Sequence, residues 1–209
     1  MSEMKEHYRK PIEGVFKVEQ LDKDGNVIDV YESSNKIMRD SKLSMAEVMS
    51  GTLAGAGDPL FINLLVLGTE GHNENLLFPK DIDYARKDLF AKELNKPTYP
   101  IRWDTHGNLE DEGYDPNLPG PHTESSTIRI YRESSLDNET IVFEVLIPKE
   151  NGNNAGGPVA YTEAALYTSY YQNNDPNNLH YGTIFAMRTF PAKIKDSATE
   201  LKITWRIIF

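Results

Sequence analysis

Cysteine is absent from the 209 residues of this chain. That absence excludes disulfides, iron–sulfur clusters, thiolate zinc sites and thiol nucleophiles, so stability must come from packing. No uninterrupted apolar run of ~18 residues occurs, and the opening MSEMKEHYRK lacks the apolar stretch of a signal peptide. Neither a membrane partner nor a secretory leader is expected, and synthesis in a cytoplasm follows. Basic charge is scarce as well. With 22 Lys and Arg against 32 Asp and Glu, the formal net charge is −10. A broad phosphate-contacting surface needs clustered cations, so nucleic acid is not expected as a partner. Heptads, repeats and low-complexity tracts of useful length are also missing.

What the chain does contain is aromatic anchors and alternation. Eleven Tyr, eight Phe and two Trp are available for packing. GVFKVEQL and NVIDVYES alternate apolar and polar residues around the turn DKDG, which predicts a β-hairpin. SKLSMAEVMSG carries a helical stripe at Leu43, Met45, Ala46, Val48 and Met49, with Asp40 or Ser41 to cap its start and Gly51 to end it. FINLLVLG is continuously apolar between Pro59 and Gly68, which predicts a central strand buried on both faces.

From Thr69 to Thr123 the pattern breaks into scattered Pro, Gly, Asn and Asp, with short apolar pieces at LLF, DLF and YPIRW. Residues 70–123 read as an extended, loop-rich insertion, functional or wrapped over a neighbour. Regular strands return at STIRIYRE, ETIVFEVLIP, VAYTEAALYTS, YGTIFAMRTF and ELKITWRIIF. Many short strands, turn-rich joins and no βαβ alternation predict a mainly β chain: one antiparallel β-sandwich domain over 1–209, with one short helix and the insertion. In LKITWRIIF the alternating residues Leu201, Ile203, Trp205, Ile207 and Phe209 predict one buried face, with Phe209 closing the core.

Chemistry is hard to find in this pattern. DKDGN offers Asp22, Asp24 and Asn26, but a calcium loop starting at Asp22 needs glycine sixth and glutamate twelfth, and here Gly25 is fourth and Ser33 twelfth. His7, His72, His106, His122 and His180 have no HxH or HExxH spacing, so no metal is expected. Asp104, Glu110, Asp111, Glu112 and Asp115 crowd one polar stretch, which reads as a solvated acidic loop more readily than as a glycosidase pair. No phosphate-binding glycine loop and no GxSxG elbow occurs. No catalytic residue and no cofactor are expected.

Two features point to contacts instead. Charge is uneven: Asp104 to Glu150 holds eleven acidic and three basic residues, whereas Arg188, Lys193, Lys195, Lys202 and Arg206 follow later. Such regions are either solvated surface or meet between neighbouring copies. Aromatics at YTEAALYTSYY and TYPIRW suit packing, or a carbohydrate platform as the alternative. Glu163 stands inside the first of these, either at a rim or as a buried, hydrogen-bonded acid fixing a loop or subunit contact. The candidate interface residues are Glu163, Tyr167, Tyr170, Tyr171, Trp205 and Phe209.

AYTEAALYTS followed by TIFAMRTFPAKIKDSATELKITWRIIF resembles tailed-bacteriophage virion structural proteins, whose strand "itEaGLy" leads to "lfar..f.pi.K" and closes with "l.i.w.i.f". GVFKVEQLDKDGNVIDVYESSNKIMRDSKLSMAEVMSG, with the later LLVLGTEG, is similar to openings of neck, collar, baseplate and tail-fibre proteins. The likeness covers roughly residues 14–70 and 125–209, leaving the insertion unaccounted for. It implies a non-enzymatic adaptor, collar or baseplate subunit of the virion, assembled with copies of itself and other virion proteins in a ring or as trimers. An axial, intersubunit histidine site of the kind some trimeric fibres hold is the one alternative to the absence of metal.

If the final strand is buried, deleting Trp205 to Phe209 costs ~3–5 kcal/mol for each fully buried aromatic and yields insoluble protein. A soluble truncation that melts cooperatively would place this strand at the periphery.

Overall fold

The computed structural model describes residues 12–39, 41, 45–46, 53–54, 58–59, 61–73, 78–91, 98–100, 127–134, 139–149, 157–171 and 179–209. The period of two in EGVFKVEQL places Phe16 and Val18 on one side of strand β1 (Glu13–Leu21), both fully buried, with Lys17 and Glu19 opposite. The chain then turns into β2 (Val27–Ser34). Asp22 Oδ1 accepts hydrogen bonds from the Asp24 amide at 2.8 Å and the Asn26 amide at 2.9 Å, while Gly25 adopts φ +82°. The aspartate is thus spent on its own turn, which only a residue tolerant of positive φ could close.

Strand β3 (Lys36–Ile37) follows, then the short ladder of β4 (Leu53–Ala54) with β5 (Asp58–Pro59), then β6 (Phe61–Gly68) and β7 (Thr98–Pro100). The second half supplies β8 (Thr127–Ser134), β9 (Glu139–Ile147), β10 (Val159–Tyr171), β11 (Leu179–Lys195) and β12 (Glu200–Ile208). Two five-stranded antiparallel sheets result, ordered β2-β1-β12-β9-β8 and β3-β11-β10-β6-β7. Strand β12 lies inside the first, paired with β1 from Glu13↔Ile208 to Leu21↔Glu200 and with β9 on its other flank.

The sheets share one core. Phe16, Val145, Ile203 and Trp205 from the first meet Leu65, Leu166, Phe185 and Phe190 from the second. Phe16 stacks on Phe190 with ring centroids 5.2 Å apart and meets Trp205 edge-on at 4.9 Å, both favoured aromatic geometries. Burying each such side chain contributes roughly 1.5–3 kcal/mol relative to leaving it in water. The mainly β, sandwich-like class read from the pattern is what the sheets form.

Several details differ from the pattern or extend it. FINLLVLG is a strand buried on both faces, because Leu65 and Leu67 enter the inter-sheet core while Leu64 and Val66 enter a second cluster. Ser41, Met45 and Ala46 are helical, and the rest of the predicted helix lies outside the described residues. Strand β11 runs on through Pro191 to Lys195, where the pattern had stopped at Phe190. Pro191 fits because the pairs Glu163↔Thr189 and Tyr161↔Lys193 flank it, so it sits in a ladder irregularity that needs no amide from it. Phe209 does not close the core. Its amide donates to the Glu139 carbonyl at 2.9 Å, but its side chain is 42% exposed, one residue beyond β12.

The hairpin turn carries a pH signature. Hydrogen bonds from the Asn26 side chain, then from the Asn26 and Asp24 amides, hold the Asp22 carboxyl below its ordinary 3.8. A carboxyl lowered by folding stabilises fully above the unfolded value, and that contribution fades as pH falls through the folded one. The melting-temperature gap between wild type and Asp22→Ala should be widest at neutral pH and narrow on acidification. A gap that ignores pH would exclude the charge as its source.

Candidate functional site

The second buried cluster lies on the side of the β3-β11-β10-β6-β7 sheet that faces away from its partner. There Leu64, Val66, Ala165, Tyr167, Ile184 and Met187 pack with Ile82 and Leu89. The last two belong to residues 78–91, a strap from the predicted insertion laid across its own sheet. An apolar sheet face of this kind would otherwise stay in water, and Ile82, Leu89 and Ala91 seal it.

Polar side chains on β10 pin the strap. Glu163 is fully buried, and its carboxylate accepts from the Phe90 amide at 2.7 Å, the Ala91 amide at 2.8 Å and, more weakly, the Glu70 amide at 3.4 Å. Thr162 Oγ1 accepts from the Gly71 amide at 2.8 Å. Two sequence neighbours thus reach the same side, whereas regular alternation would send them to opposite faces. The register irregularity between Tyr161 and Glu163 allows this, so that Tyr161 still enters the inter-sheet core. Close approach demands glycine here. A Cβ on Gly68 would stand 2.4 Å from Glu163 Oε1, and one on Gly71 would stand 2.4 Å from the Thr162 carbonyl oxygen.

Further along, the Tyr167 hydroxyl donates to the Asp88 carboxylate and accepts from the Leu89 amide at 3.2 Å. Burial, then the bond to Asp88, pushes the Tyr167 phenol well above its usual range, and burial alone does the same for Tyr161. Both stay neutral at any ordinary pH. His72 Nε2 sits 2.8 Å from the Phe190 carbonyl, so this buried imidazole ties the chain just after β6 to β11. The Arg86 guanidinium covers the Phe90 ring at 3.7 Å.

Of the candidate interface residues, Glu163 is the buried, hydrogen-bonded acid that fixes a loop. Glu163, Tyr167 and Trp205 are all buried within the chain, the first two beneath the strap and the third in the inter-sheet core. Tyr170 and Tyr171 belong to β10, opposite His180 and Leu179, and their side chains lie outside the described residues. Phe209 alone of the six has a described side chain that is exposed. The aromatic platform considered at YTEAALYTSYY loses Tyr161 and Tyr167 to burial. Asp104, Glu110, Asp111, Glu112, Asp115, His7, His106 and His122 lie outside the described residues, and among those described no three His, Asp or Glu group as metal ligands.

The exposed candidate is a strand edge. Strand β2 is outermost in its sheet and presents Val27, Ile28 and Val30 at 50%, 56% and 47% exposure. Alternation in NVIDVYES would turn Ile28 and Val30 inward. The structure takes the opposite phase, since Val30 lies across from Glu19 and Tyr31 across from buried Val18. Tyr31 therefore packs against the inter-sheet core, and Asp29 pairs with buried Lys193. Phe78 and Tyr84 form a second exposed apolar set, on the strap. No signal in the sequence separates these residues from core residues.

The chain matches no family model, no curated protein and no solved structure.

Replacing Glu163 with Ala leaves the Phe90 and Ala91 amides without their acceptor, at roughly 1–3 kcal/mol each. Hydrogen exchange at residues 82–91 should accelerate while β9 and β12 stay protected. Unchanged exchange in the strap would show that apolar contacts alone hold it.

Proposed function

We propose that this chain is a non-enzymatic structural subunit of a tailed-bacteriophage virion, working through contacts with copies of itself and with other virion proteins. The observation that carries the assembly reading is the β2 edge. A strand that is outermost among the described residues and carries three half-exposed aliphatic side chains is a template for another chain, and monomeric proteins blunt such edges with charge, proline or a cover. The strap's exposed Phe78 and Tyr84 provide a second, different patch. Two unlike patches are what head-to-tail association around an axis requires. The virion assignment rests on the resemblance of residues 14–70 and 125–209 to neck, collar, baseplate and fibre proteins.

Mass spectrometry of gradient-purified particles from the phage encoding this chain tests the assignment. The chain should appear at a fixed ratio to the major capsid protein. Particles carrying Ile28→Lys with Val30→Lys should contain at least about tenfold less of it, although these surface changes alter subunit stability by only ~0.5 kcal/mol. Absence of the wild-type chain from particles overturns the virion assignment, and undiminished incorporation of the double variant overturns the role of the edge.

A further inference from the structure

Where β3 ends, a cleft of about 250 Å³ opens between β3, β11 and the strap. Strand β3 pairs only with Ala186 and Met187, because the chain leaves β11 at Lys36 and reaches the other sheet, where the Asn35 amide bonds the Gly14 carbonyl. Beyond Met187 this flank of β11 has no strand partner among the described residues, and Thr189, itself buried, donates its hydroxyl to the Lys80 carbonyl at 2.8 Å. Lys36, Lys80 and Arg188 line this cleft with Thr189, and Asp81 is its one carboxylate.

Three cations from three separate elements meet in a chain of net charge −10. Each is held by a neutral oxygen. Lys36 Nζ donates to the Ile82 carbonyl at 2.6 Å, Lys80 Nζ to the Glu70 carbonyl at 2.7 Å, and Arg188 Nε and Nη2 to the Tyr31 hydroxyl at 3.2 and 2.7 Å. Among the described residues, no carboxylate lies within ion-pair distance of any of the three. Lys17, Lys193, Lys202 and Arg206, by contrast, each sit on a carboxylate. An ammonium has three donors and a guanidinium five, so donors remain after these bonds are made. The bonds also hold the cations in place, which lowers the ordering cost of a ligand.

We propose that this cleft is a binding site for a compact oxyanion, a phosphate or a carboxylate group, received by Lys36 and Arg188 with Lys80 adding field. Phosphate and carboxylate share the chemistry the cations recognise, and the source is either a free anion or an acidic side chain of a protein segment. Asp81 opposes the ligand's charge and keeps the site weak. The site stands whether or not the chain is a virion subunit.

Titration of the ¹⁵N-labelled full chain with inorganic phosphate, and separately with a peptide copying residues 104–115, reads both sources. Saturable shifts confined to the amides of residues 80–82 and 188–189 are expected from at least one probe, weakening as salt is raised. Phosphate alone identifies a free anion, and tighter peptide binding identifies a protein-borne carboxylate. Lys36→Gln and Lys80→Gln should each weaken binding by about tenfold, in line with one charge-assisted hydrogen bond or close charge. Asp81→Asn should tighten it several-fold, a direction that loss of structure does not produce. No saturable shift with either probe, or affinities indifferent to all three variants, overturns the site.

Discussion

The strap depends on a fault in one ladder. At Thr162 and Glu163 the pairing of β10 with β11 slips, so that two consecutive polar side chains face the strap while Tyr161 on one side and Ala164 on the other still face the inter-sheet core. A regular strand would have sent one of the two polar groups into apolar packing, at a cost of several kcal/mol for an uncompensated carboxylate. With the slip, both find backbone amides, and those amides belong to residues 70–91. The fault therefore converts a two-layer arrangement into one in which the second sheet is buried on both faces.

That conversion explains the composition of β6 and β10. Leu64 to Leu67 and Ala164 to Tyr167 are buried at every position, not at alternate ones, because one set packs toward β1, β9 and β12 and the other toward the strap. The first sheet is built differently. Its outward residues are charged and paired, as in Lys202 with Glu144 and Arg206 with Glu133, which is how an antiparallel sheet faces water. Among the described residues, exposed large apolar side chains are then concentrated at β2 and on the outside of the strap.

The strands at GVFKVEQL, ETIVFEVLIP and ELKITWRIIF were legible because their buried faces follow a period of two, and FINLLVLG because a run of that length, apolar apart from Asn63, suits a strand covered on both sides better than a helix. The sites were far less legible. Glu163 suits a rim first and a buried acid second on local pattern, since nothing local shows that amides some seventy to ninety residues away come to it. Phe209 read as core because alternation does not say where the ladder ends.

Composition and periodicity by themselves determined the fold class, the hairpin at Asp22 and the burial of Trp205, because local conformational preference and solvent exclusion act on neighbours along the chain. Tertiary structure alone decided that the insertion's described residues cover their own sheet, that Glu163 and Tyr167 serve them, that β2 is left as an edge, and that Lys36, Lys80 and Arg188 share a cleft. Each of these rests on contacts between residues far apart in sequence, which alternation along one strand cannot report.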